Sequence, residues 1–269
     1  MAQVHLPLAP QRSFGETCRR DSWWASPLVT FVVFTSFLVY ATWAGSLNAH
    51  YDYGNYLSPM YSPLFWGNSP HAMIGQGAPS WWPGFLPYSG ALLILWAPGG
   101  FRLTCYYYRG AYYKSHWASP AACAVGKPHD EYSGERKLPL LVHNLHRYLL
   151  WFALALIFFL SHDAYKAMWF TDAATGATHF GIGVGTIVLT LNALFLAGYT
   201  FGCHSLRHII GGFKDRISEA PLRRHLYRAV TWFNEAHAKW AWVSLLWVMF
   251  ADLYVRMLSM GVWHDLRIL

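Results

Sequence analysis

The sequence predicts an all-α polytopic membrane protein, a bundle of five transmembrane helices with its N-terminus cytoplasmic and its C-terminus outside. Three observations carry this. Of 269 residues, 55% are hydrophobic, 18% aromatic and only 12% charged, about half the roughly 25% charge of an ordinary soluble domain. The apolar residues are blocked into runs long enough to cross a hydrocarbon core of about 30 Å, which takes about 20 helical residues. Lys and Arg gather in the segments on one side of those runs, the positive-inside pattern. The net charge of +7 and pI near 9.2 therefore follow from topology and do not call for a nucleic-acid partner.

The expected spans are Leu28 to Ala44, Phe85 to Cys105, Tyr148 to Leu160, Gly183 to Gly202 and Trp240 to Val255. The third is short, and its flanks can lengthen it. Pro98-Gly99-Gly100 predicts a kink in the second, and Gly211-Gly212 punctuates the run that continues from the fourth. Arg12, Arg19 and Arg20 precede the first span. Seven basic residues lie between Arg102 and Arg147, and seven more between Arg207 and Lys239, including Lys214. Only Lys166, Arg256 and Arg267 fall on the other side, and the long segment from Ser46 to Pro83 has no Lys or Arg. Residues 1–25 read as a cytoplasmic arm and residues 26–269 as one membrane anchor domain without internal repeat. Tryptophans near span ends, among them Trp23, Trp43, Trp81, Trp169 and Trp240, read as an interfacial aromatic belt. No cleavable signal peptide is apparent. Cys18, Cys105, Cys123 and Cys203 all fall on the cytoplasmic side, where thiols stay reduced, so they do not form a disulfide framework.

Those thiols share their depth with imidazoles. Cys105 closes the second span, His143 and His146 open the third, Cys203, His204 and His208 follow the fourth, and His237 opens the fifth. Thiolate and imidazole are the ligands of zinc and iron–sulfur sites. Two of each suit a Rieske-type 2Fe–2S centre, although the Cys-x-His and Cys-x-x-His spacings of soluble Rieske proteins are absent. The preferred set is Cys105, Cys203, His146 and His208, with Cys123, His204 and His237 in reserve. The plainer reading makes each histidine a headgroup contact or cap and each cysteine a small apolar residue. Haem b is the competing cofactor, but the five apolar stretches hold no interior histidine, leaving only span ends such as His162 and His179 or the inner ring. Asp252 lies in an otherwise apolar span, which is expensive and functional by default; its alternative role is an ion pair with Arg256 one turn on.

Several stretches are distinctive: Arg102-Leu103-Thr104-Cys105-Tyr106-Tyr107-Tyr108-Arg109, Ser119-Pro120-Ala121-Ala122-Cys123-Ala124-Val125, His143-Asn144-Leu145-His146-Arg147-Tyr148, Cys203-His204-Ser205-Leu206-Arg207-His208 and Asp252-Leu253-Tyr254-Val255-Arg256. From about residue 20 to the C-terminus the chain resembles the membrane anchor, or cytochrome b-like subunit, of actinobacterial succinate dehydrogenases, respiratory complex II. The resemblance implies a plasma-membrane subunit with no succinate chemistry of its own. It implies docking of a flavoprotein and an iron–sulfur subunit, with room for a further small membrane subunit, and electron transfer to menaquinone. Related five-helix anchors hold two haems b; the lack of intramembrane histidine here departs from them, and a membrane-embedded Rieske-type cluster is the compatible variant. Tyr106, Arg109, His143 and Arg147 on the inner side, and His162, Asp163, Asp252 and Tyr254 on the outer, are the candidate quinone-binding and proton-supplying residues.

Two readings from other classes compete. A di-iron membrane oxygenase or desaturase carries cytoplasmic histidine boxes, which His143-x-x-His146 and His204-x-x-x-His208 imitate, but it leaves the cysteines unexplained. A transporter predicts inverted repeats and midplane polar sites, for which Asn192 and Pro98-Gly99-Gly100 are the only hints. A redox-inert anchor that carries quinone alone is a third.

Overall fold

The computed structural model describes residues 13–128, 136–138, 140–172, 175–213 and 215–269; Arg12 and Lys214 lie outside the described residues. Where the sequence has an uninterrupted apolar run, the backbone satisfies its own hydrogen bonds as helix, the only open-chain solution in hydrocarbon. Four helical segments are long and apolar enough to cross a membrane. They are α1 (Ala25–Leu47), the stretch Leu140–Lys166 whose regular part is α4 (His146–Lys166), α5 (Val184–Phe201) and α8 (His237–Ser259). The third expected span is thus longer than predicted at both ends.

The second expected span is not one helix. A 3-10 turn, Gly90–Leu93, leads to α2 (Trp96–Thr104); Cys105 then takes an extended backbone (φ −63°, ψ 130°) before α3 (Tyr106–Ser115). The expected kink at Pro98 is displaced. Pro98 falls in the first turn of α2, where its missing N–H and fixed φ are harmless, so the breaks come before and after the short helix. The segment still runs antiparallel to α1. Gly45 lies against Ala91 and Leu95, Phe34 meets Tyr108 edge-on, and Phe31 packs on His116.

The centre of the bundle is the α5–α8 contact. At Gly198 an added Cβ would sit 2.7 Å from the Trp240 ring, the close approach that small residues permit between membrane helices. One core cluster, with Phe101, Tyr108, Leu150, Tyr199 and Ala241, surrounds Cys105 and Cys203. A second joins Tyr56, Ala167, Leu189, Tyr254 and Leu258 at the other end. A third packs Tyr51, Leu57, Tyr61 and Leu64 of the long loop under Ala44 and Ala91.

The connections sort to two ends. At one, Gly15 and Glu16 of the N-terminal arm exchange backbone hydrogen bonds with Gly126, and Thr17 and Arg19 donate to Ala124 and Cys123 carbonyls at 2.9 and 3.0 Å. The helical hairpin of α6 (His204–Gly211) and α7 (Pro221–Glu235) leaves from the same end. At the other lie the hairpin β1 (Asp52–Tyr53) and β2 (Tyr56–Leu57), the hairpin β3 (Trp169–Thr171) and β4 (Thr178–Phe180), and the C-terminal residues, where Arg267 bridges to Gly183.

Candidate functional site

Two joints of the same construction meet at the first end. Cys105 separates α2 from α3 and Cys203 separates α5 from α6, each with extended backbone (φ −65°, ψ 133° at Cys203) and each at a helix N-cap. His146 and His237 are the first residues of α4 and α8. The pairing is crosswise: His146 Nε2 is 3.2 Å from Cys203 Sγ, and Cys105 Sγ is 3.6 Å from His237 Nε2. An aromatic one turn before each cysteine holds the opposite histidine. Phe101 stacks on His146 at 4.5 Å and Tyr199 on His237 at 5.0 Å. The two helix–Cys–helix joints are alike in construction; α4, the next α-helix after the first, opens on His146, whereas α7 intervenes between the second and α8, which opens on His237.

At one of the two pairs the hydrogen bonds favour one histidine tautomer. The single Thr104 hydroxyl proton goes to the Gly100 carbonyl at 2.8 Å, so Thr104 Oγ1 accepts from His146 Nδ1, 2.9 Å away. That leaves the Nε2 lone pair toward Cys203, the tautomer that second-shell partners select for metal-binding histidines. Gly202 allows His237 in: an added Cβ would lie 3.0 Å from His237 Nδ1. Four helix N-termini, of α3, α4, α6 and α8, begin at these four residues, and their positive ends favour thiolate there. Against this, burial pushes the Cys203 thiol up, partly offset by the Ser205 and Leu206 backbone N–H groups. Among the described residues no group of three or more His, Cys, Asp or Glu is placed to hold a metal ion.

The geometry changes the expected ligand set. His208 and His204 are exposed and face each other across α6 at 4.8 Å, away from the cysteines, because the extended joint at Cys203 redirects the chain before the i, i+4 face is laid down. His237 takes the place given to His208. Cys123 is exposed beside the N-terminal arm and does not approach the pair of joints.

The inner quinone candidates form a rim beside the joints. His143 Nδ1 donates to the Thr104 carbonyl at 3.0 Å and its Nε2 accepts from Tyr112 at 2.9 Å. Arg109 lies 4.4 Å over the Tyr106 ring, and Tyr106 is 76% exposed. Arg147 stands over Tyr148 at 5.3 Å. The outer candidates are instead divided among separate networks. Asp252, fully buried, accepts from Tyr40 at 2.6 Å, from Ser58 and from Arg256 at 3.4 Å. Arg256, 1% exposed, also donates to the Ala49 carbonyl at 2.7 Å. Tyr254 and Tyr56 both donate to Asp265, at 2.7 and 2.6 Å, and burial keeps the Tyr56 phenol protonated. Asp163 accepts from Ser62 and lies 3.7 Å from His162.

Residues 25–261 match the family model described as actinobacterial succinate dehydrogenase subunit SdhC. The chain belongs to this family. It is a multi-pass membrane subunit of succinate dehydrogenase. A chain of the Mycobacterium smegmatis Sdh1 complex in the apo form is 36% identical, with both chains covered over 100% of their length and a TM-score of 0.83. No curated protein matches.

Two features of this succinate dehydrogenase subunit escape a residue-by-residue reading. Arg102, within the second expected span, donates to Tyr108 and to Ser244 at 3.0 Å, and lies 4.8 Å over the Tyr199 ring. Tyr199 itself looks like one more apolar-span aromatic. The available signal was the shared aromatic-x-x-x-Cys pattern of Phe101/Cys105 and Tyr199/Cys203.

Proposed function

We propose that this subunit anchors a flavoprotein and an iron–sulfur subunit to the cytoplasmic face of the plasma membrane and conducts electrons from them to menaquinone. In this reading the chain makes five passages. The broken segment of α2 and α3 is the second, supported by its antiparallel course along α1. The N-terminal arm and the basic connections face the cytoplasm, where they offer complementary charge to soluble partners.

The observation that carries the redox reading is the convergence of Cys105, Cys203, His146 and His237 from four helix starts. Two thiolates and two imidazoles are the donor set of a Rieske-type 2Fe–2S centre. Such a group, when bound, supplies one-electron storage at the level where a docked iron–sulfur subunit ends. Thr104 fixes the His146 tautomer, and the helix N-termini stabilise negative charge on the sulfurs. Tyr106, Arg109, His143 and Arg147 form the rim at which menaquinone binds and receives protons. Tyr112 and the Thr104 carbonyl hold the His143 ring in place.

Optical and EPR spectra of the purified complex, oxidised and then reduced with succinate, test this. The expected result is a reduced 2Fe–2S signal of Rieske character. Cys105→Ser, Cys203→Ser and His237→Ala should abolish it, and His208→Ala should keep it. A haem b Soret and alpha band in its place removes the cluster and leaves the anchor.

A further inference from the structure

The hairpin of α6 and α7 has one side that the bundle does not use. Its inner side is accounted for. α6 packs on α4 and α7 on α5, Asn234 donates to the Gly202 carbonyl at 2.8 Å, and Phe233 meets Phe201 and Trp240 at 6.1 and 6.0 Å. Those partners belong to the last turn of α5 and the first turn of α8, so α7 ends at the depth where the membrane-spanning helices end. Arg207 lies 5.1 Å over the Tyr227 ring and Arg223 donates to the Gly212 carbonyl at 2.8 Å, which ties the two helices together.

Successive residues of a helix turn by about 100°, which divides the remaining surface of α7 into three strips. Leu222, Leu226 and Ala229 form one exposed edge, Arg224 and Arg228 form the opposite one, which Glu235 closes, and His225 and Trp232 lie between them. Leu222 is 75% exposed and Trp232 62%. Among the described residues neither Arg224 nor Arg228 has a carboxylate partner. An apolar edge, an aromatic strip and an unpaired cationic edge, in that order around one helix, are the profile of a helix lying in the headgroup layer.

We propose that the α6–α7 hairpin is an interfacial lipid anchor: the leucine edge of α7 enters the acyl boundary, and Arg224 and Arg228 hold the headgroups of anionic phospholipid. The proposal uses only the membrane-spanning helices and is independent of the Cys/His reading. A soluble partner would have to cover two edges that face nearly opposite ways. A bilayer boundary meets both at once, being apolar on one side and anionic on the other. The arginine stems can lie along apolar surface while their heads reach the phosphates.

Depth and headgroup choice are tested separately on the assembled complex. With Cys18→Ser and Cys123→Ser removing the exposed thiols, a nitroxide on Leu226→Cys in lipid nanodiscs should be reached by oxygen and shielded from a water-soluble nickel chelate. A nitroxide on Glu235→Cys should show the reverse. A Leu226 label open to the chelate puts that edge in water, and one closed to both reagents puts it under a protein partner; either result overturns the proposal. The delipidated complex is then titrated with phosphatidylglycerol or phosphatidylcholine, and bound lipid is counted by native mass spectrometry. Wild type should favour phosphatidylglycerol. Arg224→Gln and Arg228→Gln should each lower that affinity about fivefold and leave phosphatidylcholine binding unchanged. A preference that both substitutions leave intact overturns the proposal.

Discussion

Asp252 shows how differently one residue reads in isolation and in place. An acid in an apolar span suggests a proton or quinone site, yet its oxygens are taken by Tyr40, Ser58 and Arg256, and Arg256 reaches on to the loop carbonyl of Ala49. The group ties α1, α8 and the 48–62 loop together. Asp252→Ala should therefore destabilise the complex by about 3–5 kcal/mol, the cost of stranding a buried charge. Tyr40→Phe should cost about 1.5–3 kcal/mol, one bond to a charged group. Thermal unfolding of the detergent-solubilised complex measures both, and turnover per folded Tyr40→Phe complex should stay at wild-type level. At the end that holds the joints, partial burial first, then His208 and Arg207, push the His204 imidazole below its ordinary value. A histidine harder to protonate in the fold than in the unfolded chain costs stability as pH falls through its unfolded value, about 6.5. Stability should be level above that pH and decline below it, and His204→Asn should make the decline shallower in melting curves at pH 7.5 and 5.5.

At the scale of elements, breaks matter as much as helices. The two helix–Cys–helix joints bring thiols to the N-termini of α3 and α6, which a continuous helix through either position would not do. Packing between α5 and α8 depends on Gly198, where a methyl group meets the Trp240 ring at 2.7 Å. Gly198→Ala should cost about 1–3 kcal/mol, the usual penalty of overpacking, seen as a lower melting temperature and reduced yield. Gly99→Ala in α2 meets nothing within 4 Å, so the same substitution there should be neutral or stabilising by up to about 1 kcal/mol. Phe101 and Tyr199 were visible as aromatics four residues before each cysteine, but the crosswise stacking on His146 and His237 was not. It depends on where α4 and α8 begin, which no periodicity specifies.

For the whole molecule, the orientation is open to direct test. Cys18 and Cys123 are exposed, whereas Cys105 and Cys203 are buried. With the arm and basic connections in the cytoplasm, a membrane-impermeant maleimide should label Cys18 and Cys123 only in inverted vesicles. A cysteine in place of the exposed Met73 should be labelled only in right-side-out vesicles. The reverse pattern would invert the topology. The sorting of ends already agrees internally: the N-terminal arm pairs with residues 124–126, and the Lys- and Arg-free loop pairs with the ends of α4 and α8.

By itself the sequence determined that the chain is helical and membrane-embedded, which helix ends share a face, and that thiols and imidazoles gather at one of them. Those properties are one-dimensional: hydrocarbon thickness sets span length, and charge asymmetry sets sidedness, whatever the packing. Only the tertiary structure decided that His237 and not His208 joins the cysteines, that Asp252 is bound up in a strut, and that the second expected span is broken at Cys105. Each of these depends on helix rotation, joint geometry and the distance between segments far apart in the chain. Residues one position apart on a helix point about 100° away from each other. A shift of a single residue in where a helix begins therefore changes which side chains meet.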